Sequence, residues 1–112
     1  MNDFILIFRR DYQTADLQPT AEELQQQLKH WQEWFASLAD NDMLSRPVQR
    51  LDTVGRIVGK DRSISNGPYR ESRESVGGLV IAKAIDYDEA VEIAESCPIL
   101  ELGGNVEIRQ GL

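Results

Sequence analysis

An α+β domain with a mainly antiparallel sheet is what this sequence predicts, and three observations predict it. Two segments, 3–9 and 78–85, are rich in β-branched and aromatic residues and carry apolar side chains at successive positions. Central strands need that composition when both of their faces are covered. Two other segments each open on a helix-capping signal and then repeat apolar residues at helical spacing. A last segment, 105–109, alternates Val106 and Ile108 with Glu107 and Arg109, the pattern of a strand with one wet face.

The elements follow in order. Residues 3–9 form the first strand, and the polar stretch Asp11 to Pro19 a loop. Thr20-Ala21-Glu22-Glu23 is a capping box: the Thr20 hydroxyl takes an orphan amide while Glu23 reaches back. Leu24, Leu28, Trp31, Phe35 and Leu38 then continue as one helical stripe, and the helix runs to about Asp40, where Asn41-Asp42 ends it. Between 44 and 58 a strand is expected from about Thr53 to Val58; Pro47 leaves an earlier one undecided. Gly59-Lys60-Asp61 reads as a hairpin turn with a short return strand from Arg62 to Ser65, and Asn66-Gly67-Pro68-Tyr69 as a further turn. Gly78 to Ile85 is the second strong strand. Asp86 caps the second helix with Glu89 at its third position, and Tyr87, Ala90, Val91, Ala94 and Cys97 form its inner stripe. Pro98 ends that helix, and Gly103-Gly104 leads to the closing strand.

The resulting order is β-α-β-β-β-α-β, or β-α-β-β-α-β without one short strand. That is the split βαβ arrangement of a ferredoxin-like domain. Two helices cover one face of a four- or five-stranded sheet, yet its first and central strands are apolar on both faces. A second copy of the same sheet is the simplest cover for the other face, so a homodimer through the sheet is expected.

Composition narrows the function. With 112 residues the chain fits one domain, residues 1–112. Its 19 acidic residues outweigh 12 basic ones for a formal charge of −7, which disfavours a nucleic-acid partner, since duplex binding draws on phosphate neutralisation by Lys and Arg. The apolar run Phe4 to Phe8 is too short for a membrane span or a signal core. A single cysteine, Cys97, forms no internal disulfide, and the cytoplasm is the expected compartment. One Cys and one His also make no zinc set, so no metal and no cofactor are expected. Gly77-Gly78 lacks the following helix and Lys-Ser or Lys-Thr of a phosphate loop, and no nucleophile elbow or dinucleotide fingerprint occurs.

His30, the only histidine, stands on the margin of the first helical stripe beside Trp31 and one turn before Trp34. Its imidazole is the one side chain here whose ordinary pKa suits proton transfer near neutrality. It reads either as a boundary histidine making one hydrogen bond or as a general acid or base in a small cleft. Trp31 reads as core, with Trp34 against the sheet, a partner or a ligand. Asn66 to Glu74 reads either as a solvated charged edge or as a loop over a pocket mouth, with Arg70 or Arg73 holding an anion.

Ser65-Asn66-Gly67-Pro68-Tyr69-Arg70-Glu71-Ser72-Arg73-Glu74, with Gly77-Gly78 opening an apolar strand, resembles the signature of the DGPF-type branch of the YCII-related family. That signature is an Asp-Gly-Pro-Phe turn, a Glu, a basic residue, a second Glu and a Gly-Gly strand start. The tail is similar too: Asp86-Tyr87-Asp88-Glu89-Ala90, Cys97-Pro98, Gly103-Gly104 and Val106-Glu107-Ile108-Arg109. Asn66 and Tyr69 depart from the family's Asp and Phe; Asn keeps the turn-forming side chain but loses the charge. The resemblance, from residue 3 to 110, implies a dimeric α+β barrel. His30 is similar to a helix histidine of the smaller relatives, where a His–Asp pair has been proposed as catalytic. Spacing leaves the acidic partner of His30 open among Asp42, Asp61, Glu71 and Glu74. The resemblance favours Glu71 and Glu74, and makes Trp34, Asn66, Tyr69, Arg70 and Arg73 the ligand-binding candidates. The expected function is a dimer that binds a small molecule, with cofactor-independent lyase- or isomerase-type chemistry through His30. The alternative is a non-catalytic ligand-sensing or protein-interaction module.

Overall fold

The structure is a computed structural model. It describes every residue except Gln13 and 68–73, and the side chains of all described residues except Pro47, Val48 and Glu74. Six strands and two helices run β1 (Asn2–Asp11), α1 (Ala21–Asp40), β2 (Leu44–Arg50), β3 (Gly55–Val58), β4 (Ile64–Gly67), β5 (Glu74–Ala84), α2 (Tyr87–Glu95) and β6 (Asn105–Gln110). Four of the strands form a sheet in the order β2-β5-β1-β6, antiparallel at every junction, and β3 and β4 form a separate two-stranded sheet. The expected ferredoxin-like α+β architecture is present, with the hairpin inserted between β2 and β5 and standing outside the main sheet.

Alternation along β1 separates the two sides of the sheet. Phe4, Leu6 and Phe8 are buried on the helix side, with Val80, Ala82 and Ala84 of β5 beside them. Trp34 and Leu38 of α1, and Ala90, Ile93 and Ala94 of α2, close this core. Ile5 and Ile7 of β1 and Leu79 and Ile81 of β5 point the other way and are only partly covered. On that open face Glu107 ion-pairs with Arg9 and, at 3.3 Å, with Arg109.

The helices start as their sequences dictate. Thr20 and Glu23 exchange reciprocal bonds of 3.1 Å, the capping box. The Asp86 carboxylate accepts from the Glu89 amide at 2.9 Å. Asn41 closes α1, and Asp42 leaves it in the left-handed region.

Several expectations are corrected. Leu24 and Leu28 are exposed (48% and 59%), and Gln27 takes the inward position instead. The buried positions of α1, Gln27, Trp34 and Leu38, lie to one side of the apolar ridge, so tertiary contact turned the helix off its hydrophobic centre line. The tryptophans exchange roles: Trp34 is buried and Trp31 partly so. On α2, Tyr87 and Val91 are exposed, while Ile93 joins the core. Asn66-Gly67 belongs to β4, paired with Arg56 and Gly55, and the rest of the expected turn, Pro68-Tyr69, lies outside the described residues. A strand does precede the hairpin, since Leu44–Arg50 pairs with β5 in an irregular register.

The glycine pair has a packing cause. A Cβ at Gly78 would meet the Gln49 carbonyl oxygen at 2.8 Å, so the bare backbone is what lets β2 approach β5 there. At Gly77 the Tyr12 ring fills the space a Cβ would need, opposite the register shift after Phe8.

Candidate functional site

His30 lies on the flank of α1 that faces the 3₁₀ turn Pro98–Leu102, between α2 and β6. Its Nδ1 stands 2.8 Å from Oε2 of Glu101 in that turn. Gln27, one helical turn earlier and buried, donates its side-chain amide to the same carboxylate oxygen. The turn is held rigidly: Pro98 stands in its first turn, Ile99 is buried, Gly103 adopts φ 75°, and the Gly104 amide donates to the Ile99 carbonyl. Glu101 therefore meets the histidine from a fixed backbone.

The chemistry of the pair follows from donor and acceptor roles. An ionised carboxylate only accepts, so opposite ionised Glu101 the bond is made by an Nδ1 proton and Nε2 is the ring's lone-pair atom. That tautomer is the one a general base needs, and protonation at Nε2 turns the same ring into an acid whose cation faces a carboxylate. The side chains of His30 and Glu101 are 44% and 52% exposed, so a solute reaches them directly. Gln27 holds the carboxylate from the buried side, leaving its own Oε1 without a hydrogen-bond partner among the described residues.

The other candidates fall elsewhere. Trp34 is enclosed between α1 and α2, its indole N–H shared between the Ile93 carbonyl (3.2 Å) and the Ser96 hydroxyl (3.1 Å). Asn66 lines a hollow of about 450 Å³ with Val54, Arg56 and Gly67, and Arg50 to Thr53 line a second of about 370 Å³. Both hollows belong to the hairpin and its approach, beyond the β2 edge, whereas His30 and Glu101 flank the turn that enters β6 at the opposite edge. Within one chain, His30 and Asn66 are thus not brought together. Tyr69, Arg70, Glu71 and Arg73 lie outside the described residues. Glu74 opens β5 opposite Asp11, and its side chain is outside them too.

Glu101 is the residue that sequence reasoning missed. Seventy-one positions separate it from His30, and no spacing rule links a helix to the turn after another helix. The nearby Cys97 is no nucleophile: burial pushes its thiol up to about 12, and the Glu101 charge pushes the same way. Among the described residues no group of His, Cys, Asp and Glu is arranged to hold a metal, and no helix is long and apolar enough to cross a membrane.

Fold and site together define a ferredoxin-like α+β domain carrying a solvent-accessible histidine–carboxylate pair on its helix layer. The chain belongs to the YCII-related domain family, whose model matches residues 4–110. Among solved structures it is similar to 5-chloro-2-hydroxyhydroquinone dehydrochlorinase from Burkholderia phenoliruptrix AC1100, in complex with 2,5-dihydroxybenzoquinone. The two are 15% identical with a TM-score of 0.51, over 97% of this chain and 93% of that one. That likeness concerns the fold. No curated protein matches the chain.

Proposed function

We propose that this protein binds a small, ring-shaped organic molecule and moves a proton on it with His30, in cofactor-independent chemistry of the lyase or isomerase type. One observation carries the reading: the Nδ1–Glu101 contact of 2.8 Å, backed by buried Gln27, engages one nitrogen of a solvent-accessible imidazole and leaves Nε2 to act on a substrate. The dehydrochlorinase of similar fold, named for a chlorinated hydroxyhydroquinone, makes hydroxylated aromatic rings the first substrates to try. Removal of hydrogen chloride requires a base, the role Nε2 is set up to fill. Glu71 and Glu74, preferred from the resemblance, are retained as candidate acids, and Asn66, Tyr69, Arg70 and Arg73 as ligand-binding candidates.

The working unit in this reading is a homodimer paired through the open sheet face, where Ile5, Ile7, Leu79 and Ile81 form a half-covered apolar strip. The resemblance of the Ser65–Glu74 segment to the DGPF signature favours that branch of the family, and the single cysteine suits the cytoplasm. The test is proton exchange into hydroxylated and chlorinated quinols in D₂O, followed by NMR with wild type, His30→Ala and Glu101→Gln. Loss of exchange by about 10²-fold or more in His30→Ala, with ligand binding kept, is the expected result. Equal exchange in both proteins would overturn it and leave a ligand-sensing or protein-interaction module, in which His30 ties α1 to the turn.

A further inference from the structure

Charge is distributed unevenly over this molecule. Residues 21–40, spanning α1, carry four acids against Lys29 alone, and residues 86–101, spanning α2 and its following turn, carry six acids and no base. Those two stretches form the helix layer and outweigh the net −7 of the whole chain. The β3–β4 hairpin is the opposite: Arg56, Lys60 and Arg62 stand against Asp61, whose carboxylate is engaged by the Ser63 amide and hydroxyl. Among the described residues, none of those three cations has an ion-pair partner.

The hairpin is also an arm. Among the described residues its strands pair only with each other, and the radius of gyration of 15.2 Å exceeds the roughly 13 Å expected of a compact chain this long. Alternation puts Arg56 and Val58 on one face of β3, opposite Asn66 and Ile64 of β4. That face is bare: the paired Val58 and Ile64 are 67% and 71% exposed. An isolated two-stranded hairpin is at best marginally stable in water, so such a face gains from being covered. The helix layer supplies the matching chemistry, with exposed Leu24, Leu28 and Val91 among its carboxylates.

We propose that the β3–β4 arm docks, through its Arg56–Val58–Ile64–Asn66 face and basic tip, onto the acidic helix layer of a second copy of this chain. Both complementary surfaces belong to the same sequence, so the partner is self. Electrostatic complementarity sets the register of the contact, while Val58 and Ile64 supply the apolar surface it buries. This contact leaves the open sheet face free, and neither it nor its test depends on the function proposed above.

The test mixes two preparations. One is unlabelled Ser65→Cys protein carrying a nitroxide on the arm; the buried Cys97 is spared by the reagent. The other is ¹⁵N-labelled protein without the nitroxide, so only contacts between copies broaden its amides. Broadening of amides on the outer side of α2 and the exposed flank of α1 is expected. It should fall at least about tenfold with Arg56→Glu/Arg62→Glu, or at about 1 M salt, where the screening length is near 3 Å. Reversal of Asp88, Glu92 and Glu95 to lysine should restore it to the reversed arm. Broadening confined to the sheet face around Ile5 and Ile7, unchanged by arm reversal, would overturn the proposal. So would broadening of the helices only when nitroxide and ¹⁵N share one molecule, or its absence throughout.

Discussion

The four-stranded body and the β3–β4 arm are built from similar sequence and have opposite fates. Both contain β-branched residues in alternation, and both form antiparallel ladders. In the body each inward residue of β1 meets α1, α2 or β5, and Phe4 and Leu6 lose all contact with water. In the arm, Val58 and Ile64 pair across the ladder and stay 67% and 71% exposed. Strand formation is thus a local property, whereas stabilisation by burial depends on what the fold brings to the other side. The same contrast separates the two halves of the expected site: His30 gains a partner because α1 packs beside the turn after α2, and Asn66 is carried off on the arm.

The contrast can be broken by mutation. Leu6→Ala, at the centre of the core, should cost about 2–5 kcal/mol in urea unfolding; a smaller loss would mean the body is no better packed than the arm. Gly78→Ala should cost about 1–3 kcal/mol, because a new methyl group meets the Gln49 carbonyl and β2 must shift. Gly77→Ala should cost less, since the Tyr12 side chain can swing away. Thr20→Ala should remove about 1 kcal/mol by leaving the Glu23 amide without its cap.

Smaller effects sharpen the comparison. On the open sheet face, hydrogen bonds from Arg9 and then Arg109 hold the Glu107 carboxyl below the usual carboxylate range. In the window between its folded and unfolded pKa the unfolded chain binds more protons, so this contribution is present above the unfolded value and lost as pH falls through the folded one. Acid unfolding of Glu107→Gln should lack that segment; coincident curves would show that the pair contributes nothing. Ile64→Ala on the arm should change stability by less than about 0.5 kcal/mol in dilute monomer, the smallest effect of the set.

Much of the fold was legible because its signals are local. Capping residues at Thr20 and Asp86, apolar runs on both faces of β1 and β5, and the alternation in β6 each act within a few residues. The site was legible only in half. His30 could be singled out as the one histidine, but its partner could not, because Glu101 is adjacent only after two helices and a 3₁₀ turn have packed. The helix stripes misled for a related reason. Periodicity reports which residues are apolar, and Leu24 and Leu28 fit it, yet burial needs a neighbour that α1 does not meet there. Composition and pattern by themselves determined the order of elements, the ferredoxin-like class and, with one cysteine, that no internal disulfide forms. Tertiary packing alone decided which helix flank is buried, which carboxylate faces the histidine, and that the hairpin stands outside the sheet. Those outcomes rest on contacts between residues far apart in the chain, and no local preference encodes such contacts.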